Sequence, residues 1–416
     1  MSLLQTRVVV TGLGAVSPVG NNVDTCWKNL LSGKSGIGPV TRFDATNFRC
    51  RIAGEVKDLD IESYLGSKDA KRLDLFCHYA VAASDEAMGQ AGLQKMSSQD
   101  MERAGVIVSS GIGGLTTIEE QIITLSKQGP SRVSPLSIPM MISNMASGYV
   151  AIRHQLKGPN FCIVTACASG LHSIGEAYWM IVRGDADIML CGGSEAVIEP
   201  FSLAGFGSMK ALSSKNDDPE HASRPFDKDR DGFVPAEGAG ILVLESEEHA
   251  KKRGANILAE VVGYGLSADA HHITAPAENG EGSQRAIKMA FQHAGRSYDE
   301  LDYVNAHGTS TILNDKTETL ALKGVLGEKA KHVAISSTKS MTGHMLGAAG
   351  GFESIVCIKS ILEGIVPPTT NYFTPDPECD LDYVPNTPRE MDVKLALNNN
   401  LGFGGHNASV LFAKYQ

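Results

Sequence analysis

The 416-residue chain is poor in aromatic side chains, which make up 6% of it, and it has two tryptophans. It also lacks an excess of positive charge. Its 37 Lys and Arg stand against 47 Asp and Glu, a formal net charge of −10. That balance argues against a nucleic-acid binder, whose phosphate contacts need clustered cations. No apolar run reaches the roughly 18 uncharged residues of a membrane span, so none is expected. A basic start, apolar core and cleavage site do not occur in series at the N-terminus, so no secretory signal is expected. The eight cysteines (Cys26, Cys50, Cys77, Cys162, Cys167, Cys191, Cys357 and Cys379) contain no CxxC pair. Their scatter suits neither a zinc site nor a disulfide framework. The expectation is reduced thiols, no metal, and a cytoplasmic location, or an organelle stroma or matrix after loss of a transit peptide.

What the chain does have is 42% hydrophobic residues and 44 glycines. That suffices for two or three domains, or for one doubled domain. The apolar run 161–165 predicts a buried strand. Ala166, Cys167, Ala168, Ser169 and Gly170 follow, all small. Leu171, Ile174, Ala177, Tyr178 and Ile181 then recur at helical spacing. Cys167 therefore falls on a tight strand-to-helix turn, the kind that lifts a nucleophile into view. The free N–H groups and positive end of the following helix would favour thiolate. A free cysteine is nonetheless more often a buried structural residue, so the turn decides nothing alone.

Residues 7–14 (RVVVTGLG) predict a strand entering a glycine turn and resemble a dinucleotide fingerprint. Ser17 occupies the third glycine position, and Pro18 and Gly20 fall where a helix should open, which argues against that reading. Helices are predicted over 21–34, 74–92, 115–127 and 143–156, and strands over 104–110 and 187–191. Residues 40–70 read as irregular, 128–139 as a proline-rich loop, and 213–239 as a long polar loop. Within that loop DKDRDG (227–232) imitates an EF-hand start, but Pro235 and Gly238 stand at the ninth and twelfth positions. A rigid loop with internal Asp–Arg pairs is expected instead of a calcium site.

The second half echoes the first. Residues 258–267 repeat the opening Gly-x-Gly strand, 302–306 repeat the 104–110 strand, and 333–337 precede a glycine-rich turn and a helix over 348–362. The expected architecture is two similar α/β halves, 1–255 and 256–416, in a layered α-β-α-β-α arrangement. Two histidines stand on turns after predicted strands, His307 in NAHGTST (305–311) and His344 in TKSMTGH (338–344). Ligands of open α/β folds gather at the carboxyl ends of strands. Packing of the halves could thus bring Cys167, His307, His344 and Lys339 together. A third patch, NNNLGFGGHN (398–407), follows a predicted strand at 393–397. Its Phe403 stands among small residues and could act as a movable cover.

These motifs together resemble the β-ketoacyl-acyl-carrier-protein synthases, condensing enzymes of fatty-acid synthesis with a thiolase-like fold. The likeness runs nearly end to end, through VVVTGLGAVSPVG, SSGIGG, TACASG, SRPFDKDRDGFVPAEGAG, VNAHGTST, STKSMTGHMLGAAG and LGFGGHN. It is strongest to the type II group, with a type I synthase or another chain-length preference as the alternative. The resemblance implies an acyltransferase that joins an acyl thioester to malonyl-acyl-carrier protein with loss of carbon dioxide. By position it makes Cys167 the acyl-accepting nucleophile, His307 and His344 the pair promoting decarboxylation, and Lys339 the organiser of the second histidine. Glu353 becomes an acidic partner deeper in the substrate site. Thr309 and Thr311 would hold the pantetheine arm, Ile112 and Phe206 would line the channels, and Phe403 would gate them and donate an oxyanion N–H. Leu401 departs from the phenylalanine many members carry. The resemblance also implies a homodimer, an acidic acyl carrier protein as partner, and no cofactor beyond the phosphopantetheine that the carrier brings. An acidic carrier needs a basic landing patch, for which Lys68, Lys71, Arg72, Arg132 and Lys210 are candidates; Lys68 and Arg72 would share a face if that segment is helical. A thiolase would need a second cysteine near the C-terminal glycine loop, which has none. A non-catalytic chain-length factor would lack the nucleophile.

Overall fold

The computed structural model describes residues 6–416. Its main strands are β1 (Val8–Val16), β2 (Ala104–Ser109), β3 (Ile188–Glu195), β4 (Gly238–Ser246), β5 (Ala259–Ala268), β6 (Tyr303–Asn305), β7 (Ala334–Ser336), β8 (Leu395–Gly402) and β9 (His406–Ala413). Among the described residues they hydrogen-bond in the order β2-β3-β4-β1-β5-β9-β8-β6-β7. The order repeats on either side of the β1/β5 contact, an antiparallel pairing of Val8–Val10 with Ala259–Val261, except that the outermost β7 has no counterpart in the first half. On each side two antiparallel neighbours lead to a parallel pair, β2/β3 in one half and β6/β8 in the other.

The helices repeat this symmetry. α1 (Leu75–Ala91), joined by α2 (Met145–His154), covers the outer face of the first half. α3 (Ser169–Arg183) lies in the middle; α4 (Glu281–Ala294) and α5 (Ile312–Leu326) cover the second half, and α6 (Ala349–Glu363) returns to the middle. α3 and α6 pack on each other and on strands of both halves. Three of the apolar cores among the described residues lie under these helices. One surrounds α3 and α6 (Ile174, Ile181, Phe352, Val356), one lies under α1 (Phe76, Val81, Met88), and one under α4 and α5 (Ile287, Phe291, Leu322). This is the layered α-β-α-β-α fold. No helix among the described residues is long and apolar enough to cross a membrane.

The Gly-x-Gly echo has a packing cause. β1 runs on through Gly12 and Gly14 rather than turning there. A Cβ at Gly14 would lie 1.8 Å from the Ala83 carbonyl oxygen, and one at Gly265 would lie 1.9 Å from that of Ala286. In both halves the glycines let a helix backbone press onto the strand.

Several expectations are corrected. Residues 161–165 form no strand; only Asn160 bridges to Val106. The Ile163 N–H goes to Ser109 Oγ and that of Thr165 to Ser169 Oγ, so hydroxyls replace a ladder. Phe161 is 36% and Val164 55% exposed, so the run is not buried either. Residues 40–70 contain a short strand (Ile52–Gly54) paired with Ile37–Pro39, and a helix over Ile61–Ala70 interrupted at Gly66. The proline-rich loop holds a turn at Pro130–Arg132 and a short helix at Ser137–Met141. In the polar loop, Arg230 pairs outside it, with Asp376 at 2.6 Å and Asp315 at 3.6 Å, and the Asp227 carboxylate accepts from the N–H groups of Phe373 and Thr374. The loop is strapped to the second half. The strand predicted at 393–397 extends to Gly402, so Asn398, Asn399 and Asn400 are buried strand residues rather than loop.

Candidate active site

Cys167 occupies a single 3₁₀ turn, Ala166–Ala168, directly before α3. Ala166 has φ +51°, the left-handed region that costs a non-glycine residue about 1–3 kcal/mol and persists only where the surroundings enforce it. The second half repeats the device: Leu346, at φ +45°, opens the turn Leu346–Ala348 before α6, and Gly347 stands where Cys167 stands in the first half. One buried carboxylate ties the second turn to the loop that follows β2. Glu195, at the end of β3, accepts from the N–H groups of Gly111 at 2.8 Å and Gly347 at 2.9 Å, and from Ser110 Oγ at 2.6 Å.

Above Cys167 lies a cavity of about 500 Å³. Cys167, Ile112 and Phe206 reach it from the first half; His307, Thr309, Thr311, His344 and Phe403 reach it from the second. The histidine rings stand edge to face with centroids 5.3 Å apart, and Phe233 packs on His344 at 5.4 Å. The Nδ1 atoms of both histidines are buried without a partner among the described residues. The hydroxyls of Thr309 and Thr311 are 2.9 Å apart at the wall. Phe403 begins the three-residue turn between β8 and β9, half-buried at the cavity edge. Behind the histidines, Lys339 Nζ donates to Glu353 in a fully buried ion pair, and Asn400 Nδ2 donates to the other Glu353 oxygen at 2.7 Å.

Burial pushes the Cys167 thiol up to about 12, with the Lys339 charge pulling the other way. The turn does not hold a standing thiolate: desolvation outweighs the helix terminus. Burial, and then the charge of Lys339, hold His307 and His344 well below the ordinary imidazole value. Both rings are therefore neutral near pH 7, each able to donate one N–H and accept one proton. Burial likewise raises Glu318, to about 7; its oxygens accept the backbone N–H groups of His307 at 2.7 Å and Gly308 at 2.8 Å and fix the histidine turn.

The depressed histidines set a pH dependence of stability. The unfolded chain binds protons at these histidines below about pH 6.5 while the folded state does not. Their stabilising contribution is complete above that value and is lost as pH falls. Glu318 works in the opposite sense, so the comparison must be between variants. Thermal unfolding of His307→Asn should lose less between pH 7.5 and pH 5, on the order of a few degrees, than that of the unsubstituted chain.

The sequence-predicted residues separate into two groups. Cys167, His307, His344, Thr309, Thr311, Ile112, Phe206 and Phe403 share the cavity. Lys339 and Glu353 do not line it. Glu353 is corrected from a substrate-contacting residue to the buried counter-ion of Lys339, and Lys339 acts on both histidines through its charge. Of the five basic candidates, all exposed, Lys210 alone lines the cavity mouth. Lys68 and Arg72 do not share a helical face, because the helix ends at Ala70. Sequence reasoning missed Glu195, Glu318 and Phe233. The first two fall outside every quoted motif, and only Phe233 sits inside one.

Gly402 packs on the cysteine turn. A Cβ there would lie 2.4 Å from the Thr165 carbonyl oxygen and 3.4 Å from the Cys167 nitrogen. Gly402→Ala should push β8 away from the turn and lower turnover about tenfold or more, since misplacement of reacting groups by about 1 Å costs on the order of 10²-fold. Steady-state kinetics of the purified variant check this.

The chain matches the family model "Beta-ketoacyl synthase, N-terminal domain" over residues 5–250 and "Beta-ketoacyl synthase, C-terminal domain" over 258–373. It is 54% identical over 415 residues, 100% of each chain, to a Synechocystis protein named 3-oxoacyl-(acyl-carrier-protein) synthase 2. A Staphylococcus aureus protein of the same name is 52% identical over 410 residues, 99% of each chain. Among solved structures, it is similar to a type II PKS acyl-carrier protein in complex with its ketosynthase bound to the hexaketide, with a TM-score of 0.90 at 38% identity, covering 99% of this chain and 100% of that one.

Proposed function

This chain belongs to the β-ketoacyl synthase family, and we infer that it is a 3-oxoacyl-acyl-carrier-protein synthase of the type II group, an acyltransferase that lengthens fatty acyl chains by two carbons. The observation that carries the reading is the single cavity in which one cysteine from the first half faces two neutral histidines from the second. We place the boundary between the halves near residue 255.

In the first step Cys167 sulfur attacks the thioester carbonyl of an acyl carrier. The resting thiol must give up its proton, and a neutral histidine can take it and pass it to the departing carrier sulfur. The tetrahedral oxyanion is held by the backbone N–H groups of Cys167 and Phe403, an effect typically worth about 3–4 kcal/mol per donor. In the second step malonyl carrier enters, its carboxylate carbon–carbon bond breaks, and the electron pair passes into an enolate as carbon dioxide leaves. His307 and His344 donate N–H groups to the enolate oxygen. The enolate carbon then attacks the Cys167 thioester, the carbon–carbon bond forms, and the cysteine sulfur leaves and is reprotonated. Thr309 and Thr311 hold the pantetheine arm, and Ile112 and Phe206 line its channels.

The partner is an acyl carrier protein, as in the related ketosynthase complex. Lys68, Lys71, Arg72, Arg132 and Lys210 are its basic landing residues, Lys210 at the cavity mouth. Neutralising Lys71 and Arg72 together should raise the KM for acyl carrier several-fold with kcat unchanged; an unchanged KM removes them from the interface. A homodimer is supported by the exposed apolar side chains of Ile138, Ile152, Phe161 and Val164, all in the first half, and sedimentation tests it. The chain works where its carrier is, in the cytoplasm or in an organelle stroma or matrix.

The deciding assay supplies acyl and malonyl carriers and follows carbon dioxide release with 3-oxoacyl product. Decarboxylation without condensed product from the intact protein would remove the reading.

A further inference from the structure

We propose that Ser169, His172 and Ser173, one face of α3, are positioning residues that hold the left-handed turn presenting Cys167. The proposal rests on the reading of Cys167 as nucleophile. Residues spaced three and four apart on a helix share a face, and all three side chains are almost completely buried. Ser169 Oγ donates to the Ala166 carbonyl at 2.6 Å and accepts the Thr165 N–H at 2.8 Å. One hydroxyl therefore closes both sides of the left-handed residue. His172 Nδ1 lies 2.7 Å from Thr165 Oγ1. Ser173 Oγ lies 2.5 Å from Ser109 Oγ, which in turn accepts the Ile163 N–H at 2.9 Å. On the approach to the cysteine, Ile163, Thr165 and Ala166 are thus bonded to side chains of α3 or to a serine that α3 holds.

The reason for such a clamp is visible by comparison with the other half. There the segment just before the matching turn is held backbone to backbone: the His344 N–H donates to the Val234 carbonyl at 2.7 Å, and the His344 carbonyl accepts the Ala236 N–H at 2.9 Å. α6 begins at Ala349 as α3 begins at Ser169, so the matching positions are Ala349, Phe352 and Glu353. The serine and histidine are confined to the half that carries the cysteine, where the segment from Ile163 to Ala166 has no such backbone bridge. Where backbone partners are missing, helix side chains supply the fixed bonds.

The test uses the full chain and three readouts: single-turnover acylation of Cys167 by acyl carrier, followed as loss of the iodoacetamide-reactive thiol; the KM for acyl carrier; and malonyl-carrier decarboxylation. Ser169→Ala leaves a backbone N–H without its acceptor and should slow acylation about tenfold. The KM and the decarboxylation rate should each change less than about twofold, because the histidines sit on the other half. Ser169→Thr, which keeps the hydroxyl, should restore acylation. Thr165→Val, at a half-buried position, should slow acylation in the same direction and decides the matter if Ser169→Ala does not fold. Unchanged acylation in the folded variants overturns the proposal, as does a decarboxylation rate that falls in step with acylation. The two readings fail separately: condensation by Cys167→Ala removes the nucleophile, whereas an inactive Cys167→Ala beside a fully active Ser169→Ala removes only the clamp.

Discussion

Cys167→Ala should lose condensation by on the order of 10⁴-fold or more while still releasing carbon dioxide from malonyl carrier. The two half-reactions use different groups. Bond formation needs the acyl chain held as a thioester, and no other cysteine lines the cavity among the described residues. Decarboxylation needs donors for the enolate oxygen, and His307 and His344 stay in place without the sulfur. His307→Ala should therefore lose both activities. Parallel assays of carbon dioxide and 3-oxoacyl product on the two variants check the split. Condensed product from Cys167→Ala would move the nucleophile elsewhere.

The second large effect is on Lys339. Its ammonium and the Glu353 carboxylate are buried together behind the histidines. Removing one partner of such a pair leaves a charge uncompensated in low dielectric, at a cost of about 3–5 kcal/mol. Lys339→Ala should thus lower the unfolding temperature by roughly 5–15 °C. It should also lift the histidines toward protonation, since the Lys339 charge helps to hold both rings neutral. Decarboxylation would then fall off at a higher pH on the acid side. The double variant Lys339→Met with Glu353→Gln separates the two effects. It should recover much of the thermal stability, because no lone charge is left buried, yet keep the shifted acid limb. If the double variant unfolds as early as Lys339→Ala, the pair is not what stabilises this region. Calorimetry and pH–rate profiles on the same preparations decide both points.

Much of the fold was legible because it is written as local pattern. The runs 8–10 and 188–191 are apolar because both faces of each strand are covered. The Gly-x-Gly echo announced the doubling, although its cause is helix packing and not a turn. Strand ends were less legible. Asn398–Asn400 read as loop because three consecutive amides are unfavourable in a strand. They are strand because Gly350, Glu318 and Glu353, distant in sequence, accept from their amides. The apolar run 161–165 failed in the opposite sense. Its composition favours a strand, but its bonding groups are met by serines on β2 and α3.

The sequence by itself determined the chemical inventory: one cysteine on a small-residue turn, two histidines after strand ends, a lysine nearby and a glycine-flanked phenylalanine. Those are local facts, carried by residue type and spacing. The tertiary structure alone decided which of them share a cavity, which lie behind it, and in what protonation state they rest. Glu353 moved from the substrate wall to the buried counter-ion of Lys339. The thiol expected to favour thiolate is pushed up instead. The first outcome joins two groups of one half that only the folded chain buries together. The second depends on desolvation and on the charge of Lys339, which comes near Cys167 only once the two halves have closed on each other.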